Sequence, residues 1–319
     1  MRLISAAEIE AAGDWRALVD ALEAGHRLPA AATRHQLQQD GENSWVSLMA
    51  WAPGGALALK SMTIFPGNDA LDPPRRTING AVLLFDAATG EVAAVFDGAL
   101  LTEWKTVGDS ALGADLLARP DIETLLVVGA GTIGARLPEA YLAVRPSIRR
   151  VLIWNRGSAK AEALAARLSG ALPADIEAVA DLEAAARQAD AIACATMATE
   201  PVIRGDWLKP GAHLDLIGAY RPDMREADDE AMRRGRIFVD ARDTTLAVAG
   251  ELIDPIAAGA IAETDILGDH YDLAGGAPGR LSPDDVTVFK NGGGAHLDLM
   301  VAQFFLDRLQ GREDHSPTT

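Results

Sequence analysis

The run Thr124-Leu125-Leu126-Val127-Val128-Gly129-Ala130-Gly131-Thr132-Ile133-Gly134 joins a short apolar stretch to a Gly-x-Gly-x-x-Gly turn. Such a turn can bind anions. Gly129 permits the tight bend, Gly131 lets the backbone approach a pyrophosphate, and Gly134 allows a helix to pack closely. Backbone N–H groups, those of Ala130, Thr132 and Ile133 among them, are then aimed at phosphate oxygens. Glycine-rich turns also arise for structural reasons alone, so the context decides. Residues 125–128 read as a strand, 134–144 as a helix and 150–154 as a second strand, which is a βαβ unit in the order a dinucleotide site requires. An NAD site favours an acid after the second strand, whereas an NADP site places neutral and basic groups there for the 2′-phosphate. Here Asn155, Arg156 and Lys160 stand in that region, which points to NADP(H), with NAD(H) also accepted. The competing reading of Arg156 is a solvated loop cation.

Three further cations have chemical potential. Lys60 lies in Ala58-Leu59-Lys60-Ser61-Met62, a strand otherwise apolar or small, where an ammonium must be paired or face a pocket. An edge lysine that blocks aggregation is the alternative. Arg34 follows the small residues 30–33. Lys105 lies in Leu101-Thr102-Glu103-Trp104-Lys105-Thr106, where a helix is expected to begin, and a helix N-terminus with an added cation suits a carboxylate. Either one alone reads as a solvated surface charge.

The elements that must position these residues divide the chain in two. The chain is 319 residues long, enough for two lobes with a sizeable core. Residues 1–112 show a helical start (6–24), then strand-like stretches at 44–51, 56–65, 80–86 and 91–97, with a helix towards 117. This is a sheet-rich first lobe. Residues 113–294 alternate strands (125–128, 151–154, 191–195, 213–217, 237–239) with helices (159–168, 182–188, 228–234). That alternation predicts an α/β fold with a Rossmann-type, doubly wound parallel sheet beside the sheet-rich α+β lobe. A last helix at about 295–309 closes the chain, which from about 311 reads as disordered.

Composition excludes several functions. A net charge of −17 opposes nucleic acid and gives no electrostatic attraction to an anionic membrane. An anionic substrate would therefore need a local basic cluster. The single cysteine, Cys194, sits among small apolar residues and reads as core filler, with neither disulfide nor Cys/His metal spacing, so no metal is expected. No apolar stretch of about 20 residues and no secretory h-region is seen, which predicts a cytoplasmic protein.

Taken in order, Lys60 with Phe65-Pro66-Gly67-Asn68, Leu83-Leu84-Phe85-Asp86, Leu101-Thr102-x-x-Lys105-Thr106, the glycine turn, Ile153-Trp154-Asn155-Arg156 and Gly218-Ala219-Tyr220-Arg221-Pro222 resemble the ornithine cyclodeaminase/mu-crystallin family, as do Gly250-Glu251-Leu252 and Val288-Phe289-Lys290-Asn291-Gly292. The resemblance runs over nearly the whole chain. It implies a homodimer, a first lobe (1–112) that binds substrate and dimerises and to which the last helix with residues 295–319 returns, an active site between lobes, and a small imino-acid substrate. It also implies that Lys60 meets the substrate's carboxylate and imino centre, that Arg34 and Lys105 grip the carboxylate beside Thr106, and that Thr196, Gly218 and Asn291 join the cofactor site. The family more often carries arginine at Lys105, so the bidentate fork is lost here. Its cyclodeaminases carry aspartate where this chain has Tyr220, a phenol that is neutral at pH 7. A diamine then lacks an anionic partner. The resemblance thus favours the branch that reduces cyclic ketimines, Δ1-pyrroline-2-carboxylate or Δ1-piperideine-2-carboxylate, to proline or pipecolate, with Tyr220 as acid or as pocket wall. The alternatives are an amino-acid dehydrogenase, an acyclic imino-acid reductase, an ornithine cyclodeaminase and a non-catalytic ligand binder.

Overall fold

The computed structural model describes residues 1–246 and 249–311. The segment expected to be disordered lies, beyond Gly311, outside the described residues. The chain forms two compact units, Met1–Lys105 with the chain from Gly294 on, and Thr106–Gly293.

In the first unit β1 (Arg2–Ile4) precedes α1 (Ala6–Ala12) and α2 (Trp15–His26), then β2 (Ala32–Asp40), β3 (Asn43–Trp51), β4 (Leu57–Ile64), β5 (Ile78–Phe85) and β6 (Val92–Asp97). The single helix expected over 6–24 is two. The Asp14 carboxylate accepts from the Ala17 N–H at 3.1 Å and starts a new helix, and a Cβ on Gly13 would lie 2.1 Å from the Trp104 ring. The sheet order is β1-β6-β5-β4-β3-β2, antiparallel except for the β1–β6 pair. Strands β1 and β2 were not expected. β1 is too short to show a period, and β2 (ATRHQLQQD) is exposed along most of its length. Helix α2 buries Trp15, Leu18, Val19, Leu22 and His26, a stripe at helical spacing.

The chain continues through α3 (Gly98–Leu117) into the second unit. There β7 (Thr124–Val128), α4 (Leu137–Val144), β8 (Arg150–Trp154), α5 (Ser158–Leu168), β9 (Asp175–Ala178), α6 (Leu182–Gln188), β10 (Ala191–Cys194) and β11 (His213–Leu216) follow. The unit continues through α7 (Asp229–Arg234), β12 (Gly235–Val239), α8 (Arg242–Thr245), α9 (Gly250–Ala257), β13 (Ile266–Asp269), α10 (His270–Ala274) and β14 (Val286–Lys290). Helix α11 (Ala295–Leu309) returns to the first unit, where it packs on β3 and β4.

The eight strands of the second unit are all parallel, in the order β13-β12-β14-β11-β10-β7-β8-β9. Strands β7, β10, β11 and β14 are buried at every residue, as strands covered on both faces must be. This is the expected α/β class. From β7 the chain winds outward to β8 and β9, then returns to β10 on the other side. The topological switch point, where doubly wound sheets bind ligands, therefore lies between β7 and β10.

Candidate active site

At the carboxyl end of β7 the glycine turn has the geometry of an anion cradle. Gly129 has φ +110°, and a Cβ there would lie 2.4 Å from the Ala195 carbonyl oxygen. A Cβ on Gly134 would lie 1.8 Å from the Gly129 carbonyl oxygen, whereas Gly131 faces open space. Gly134 thus closes the turn upon itself more than it seats a helix on a strand. Helix α4 begins at Leu137 rather than at 134, because Pro138 suits a first helical turn and residues 132–136 remain a turn. Ala130 donates its N–H to Asn155 Oδ1 at 3.1 Å, while the N–H groups of Gly131, Thr132 and Ile133 have no partner among the described residues. An exposed bend with unspent donors fits a pyrophosphate.

Asn155 serves the turn itself. Its Nδ2 donates to the Gly157 carbonyl at 3.0 Å, so the side chain ties the end of β8 to the end of β7. Arg156 and Lys160 are exposed after β8, where no acid stands.

On the other side of the switch point, Thr196 follows β10 and Gly218 follows β11. Both lie against the buried carboxyl group of Glu226, which was not among the expected site residues. Burial and the neighbouring Glu251 push the Glu226 carboxyl up to about 8, against the pull of Lys290 and the Thr196 donors. Asn291, at the end of β14, is buried. Its amide donates to the Thr106 carbonyl at 2.9 Å and the Ser110 hydroxyl at 3.0 Å, so it braces half-buried Thr106 from within the same unit. Tyr220 is 50% exposed, with the Arg221 guanidinium 5.7 Å from its ring centroid.

In the first unit Lys60 is buried in the middle of β4, and its Nζ lies 3.3 Å from Asp298 Oδ1 on α11. Asp298 Oδ2 has no hydrogen-bond partner among the described residues. Desolvation lowers the Lys60 pKa, Asp298 draws it back up, and the Lys105 ammonium lowers it further. Lys105 is also buried, but α3 begins at Gly98, so Lys105 sits two turns inside the helix. The helix terminus does not contribute there, since its field fades within the first turn. Two buried ammonium groups and the Asp298 carboxylate thus lie together between helix and sheet.

The register separates Arg34 from this group. Arg34 pairs with Met49, Met49 with Leu59 and Leu59 with Leu83, whereas Lys60 pairs with Leu48 and Val82. Directly opposed residues share a face and neighbours alternate, so Arg34 and Lys60 project from opposite faces of the sheet. Arg34 is exposed, and its guanidinium donates to the Thr33 carbonyl at 2.8 Å. Of the three expected cations, the structure brings Lys60 and Lys105 together and leaves Arg34 on the other face. Asp298 was missed, although a lone acid in Ala295-His296-Leu297-Asp298-Leu299 was a readable signal.

A glycine cradle on a doubly wound parallel sheet, in one chain with a buried lysine–carboxylate site on a mixed sheet, defines a nicotinamide-dinucleotide-dependent enzyme. The chain belongs to the ornithine cyclodeaminase/mu-crystallin family, whose model matches residues 3–313. It is 50% identical over 298 residues to a Delta(1)-pyrroline-2-carboxylate reductase of Paracoccus denitrificans, covering 93% of each chain. Its structure is similar to that of Thermococcus litoralis Delta(1)-pyrroline-2-carboxylate reductase in complex with NADH and L-proline (TM-score 0.90, 25% identity, 98% of each chain). It is also similar to the iminosuccinate reductase of Paracoccus denitrificans in complex with NAD+ (TM-score 0.87, 26% identity, 98% of this chain and 97% of the other).

Proposed function

We propose that this protein, a nicotinamide-dependent ketimine reductase, reduces a small cyclic imino acid, Δ1-pyrroline-2-carboxylate or its six-membered homologue, to L-proline or L-pipecolate. The observation that carries the reading is the buried Lys60–Asp298 pair with Lys105 beside it. Two buried ammonium groups side by side attract the carboxylate of an imino acid and repel a second ammonium, as ornithine would bring. Tyr220 at the position of the cyclodeaminases' aspartate supports the same choice, and so does the 50% identical relative.

The reaction turns C=N into CH–NH by adding a hydride to carbon and a proton to nitrogen. The dinucleotide supplies the hydride when bound. Lys105 holds the substrate carboxylate. Lys60 orients the imine and donates its Nζ proton towards the imine nitrogen, a transfer eased by the desolvation that lowers its pKa. Asp298 restrains that loss and fixes the ammonium in place. The glycine turn holds the pyrophosphate, and Arg156 with Lys160 receives a 2′-phosphate, which makes NADP(H) the preferred cofactor.

The same reading includes a homodimer and a cytoplasmic setting. The sheet face opposite Lys60 carries half-exposed Met49, Leu57, Leu59 and Leu83 with Trp51 58% exposed, an apolar surface that a second copy would cover. Cys194 is a buried free thiol, and no helix among the described residues is long and apolar enough to cross a membrane. The test is NADPH consumption across a panel of the two cyclic imines, linear imino acids and 2-oxo acid plus ammonia, beside ammonia release from ornithine plus NAD. Turnover of the cyclic imines with inert ornithine is expected. Robust ornithine turnover with inert imines would overturn the assignment.

A further inference from the structure

The ends of β10 and β11 are pressed together and fastened by one carboxyl group. A Cβ on Gly218 would lie 1.8 Å from the Thr196 carbonyl oxygen and 2.7 Å from Glu226 Oε1. Glu226 Oε1 accepts from the Thr196 N–H at 2.7 Å and the Thr196 hydroxyl at 2.8 Å, while Oε2 accepts from the Gly218 N–H at 2.6 Å. Behind it Glu251, the second residue of α9, accepts from the Glu226 N–H at 2.8 Å and the Ala227 N–H at 2.9 Å. Both acids are fully buried. Two neighbouring buried carboxyl groups cost more than the apolar side chains that would fill the same space, so packing alone does not account for them.

Their place in the sheet does. The turn after β7 and the residues after β8 take the pyrophosphate and the adenosine ribose, so the rest of the dinucleotide must cross the switch point towards the ends of β10 and β11.

We propose that Glu226 is a positioning residue for the nicotinamide end of the dinucleotide. It clasps Thr196 to Gly218, and Glu251 aligns the backbone that carries it. The inference rests on the dinucleotide-dependent reading above, and it concerns one end of the cofactor only. A glutamine at 226 has a single acceptor oxygen. With that oxygen towards Thr196, its NH2 meets the Gly218 N–H donor to donor, and the clasp opens.

The experiment compares the Kd of NADPH with that of 2′-phospho-ADP-ribose, which lacks nicotinamide, for the wild type and for Glu226→Gln. The expected result is an unchanged fragment Kd, an NADPH Kd raised about tenfold or more, and a kcat that falls further than 1/KM for the imine. Equal weakening of fragment and NADPH would reduce Glu226 to a structural role, and no change in either would dismiss it. A wild type that binds neither this fragment nor ADP-ribose would overturn the dinucleotide reading itself. Thr196→Val keeps the backbone donor and loses one of the three bonds, so it carries the same test should Glu226→Gln not fold. It should show a smaller shift of the same kind and add little in the double variant.

Discussion

Replacing Asp298 by asparagine isolates the charge that faces Lys60. The amide keeps the size and an acceptor oxygen for the Nζ contact at 3.3 Å, so packing against β4 is retained. What is lost is the one carboxylate that opposes desolvation and the Lys105 ammonium, both of which already lower the Lys60 pKa. The amide keeps the hydrogen bond, so the loss is the Coulombic attraction of the two charges, about 1.5–3 kcal/mol when partly screened. At about 1.4 kcal/mol per pKa unit, its loss lowers the Lys60 pKa by a further one to two units. If protonated Lys60 is the form that receives the imine, the basic limb of the kcat/KM profile for Δ1-pyrroline-2-carboxylate should move down by the same one to two pH units. The solution pKa of the imine does not change, so the shift between the two proteins reports Lys60. The assay is NADPH oxidation followed by absorbance across neutral to alkaline pH, with the NADPH Kd as a control that should not move. A basic limb at the same pH in both proteins would show that the Lys60 proton is not what the reaction draws on.

Arg156→Ala should lower kcat/KM with NADPH about tenfold or more and leave NADH use nearly unchanged, since only the 2′-phosphate gains from the guanidinium; equal losses with both cofactors would refute this. Lys105→Ala should raise the imine KM more than Arg34→Ala does, because Arg34 leaves the opposite face of the sheet; a larger effect at Arg34 would show that it reaches the Lys60 side. Stability should fall as pH rises from about 6.5 to about 8. Burial raises Asp215 to about 7 and Glu226 to about 8, so the folded protein keeps protons that the unfolded chain has already released. Burial holds His213 at about 3 and His270 at about 4, so below 6.5 the unfolded chain gains protons that the folded one refuses, and the two effects oppose each other there. With the residual titration of the two unfolded histidines subtracted, the decline from 6.5 to 8 should amount to about 1–2 kcal/mol, read from urea midpoints at the two pH values; a rise would refute the sign.

The dinucleotide unit was legible in the sequence because its signals are local. An apolar strand, three glycines at fixed offsets and a polar residue after the next strand all act within a few residues of one another, and backbone geometry demands them wherever they occur. The alternation of strands and helices carried the parallel sheet for the same reason, since strands buried on both faces read as continuous apolar runs. Lys60 announced itself by being charged in such a run.

Tertiary structure decided which of these residues meet. The edge strand β2 has a polar, exposed sequence with no alternation to read, yet its pairing with β3 sets the face from which Arg34 projects. The start of α3 at Gly98 moved Lys105 from a helix terminus into a helix interior. Asp298 comes to Lys60 across 238 residues of chain, and Glu251 reaches Glu226 across 25. No local pattern encodes either contact, because each exists only once helix and sheet have packed. A buried charge must find its partner by folding, and the sequence records the charge without the partner.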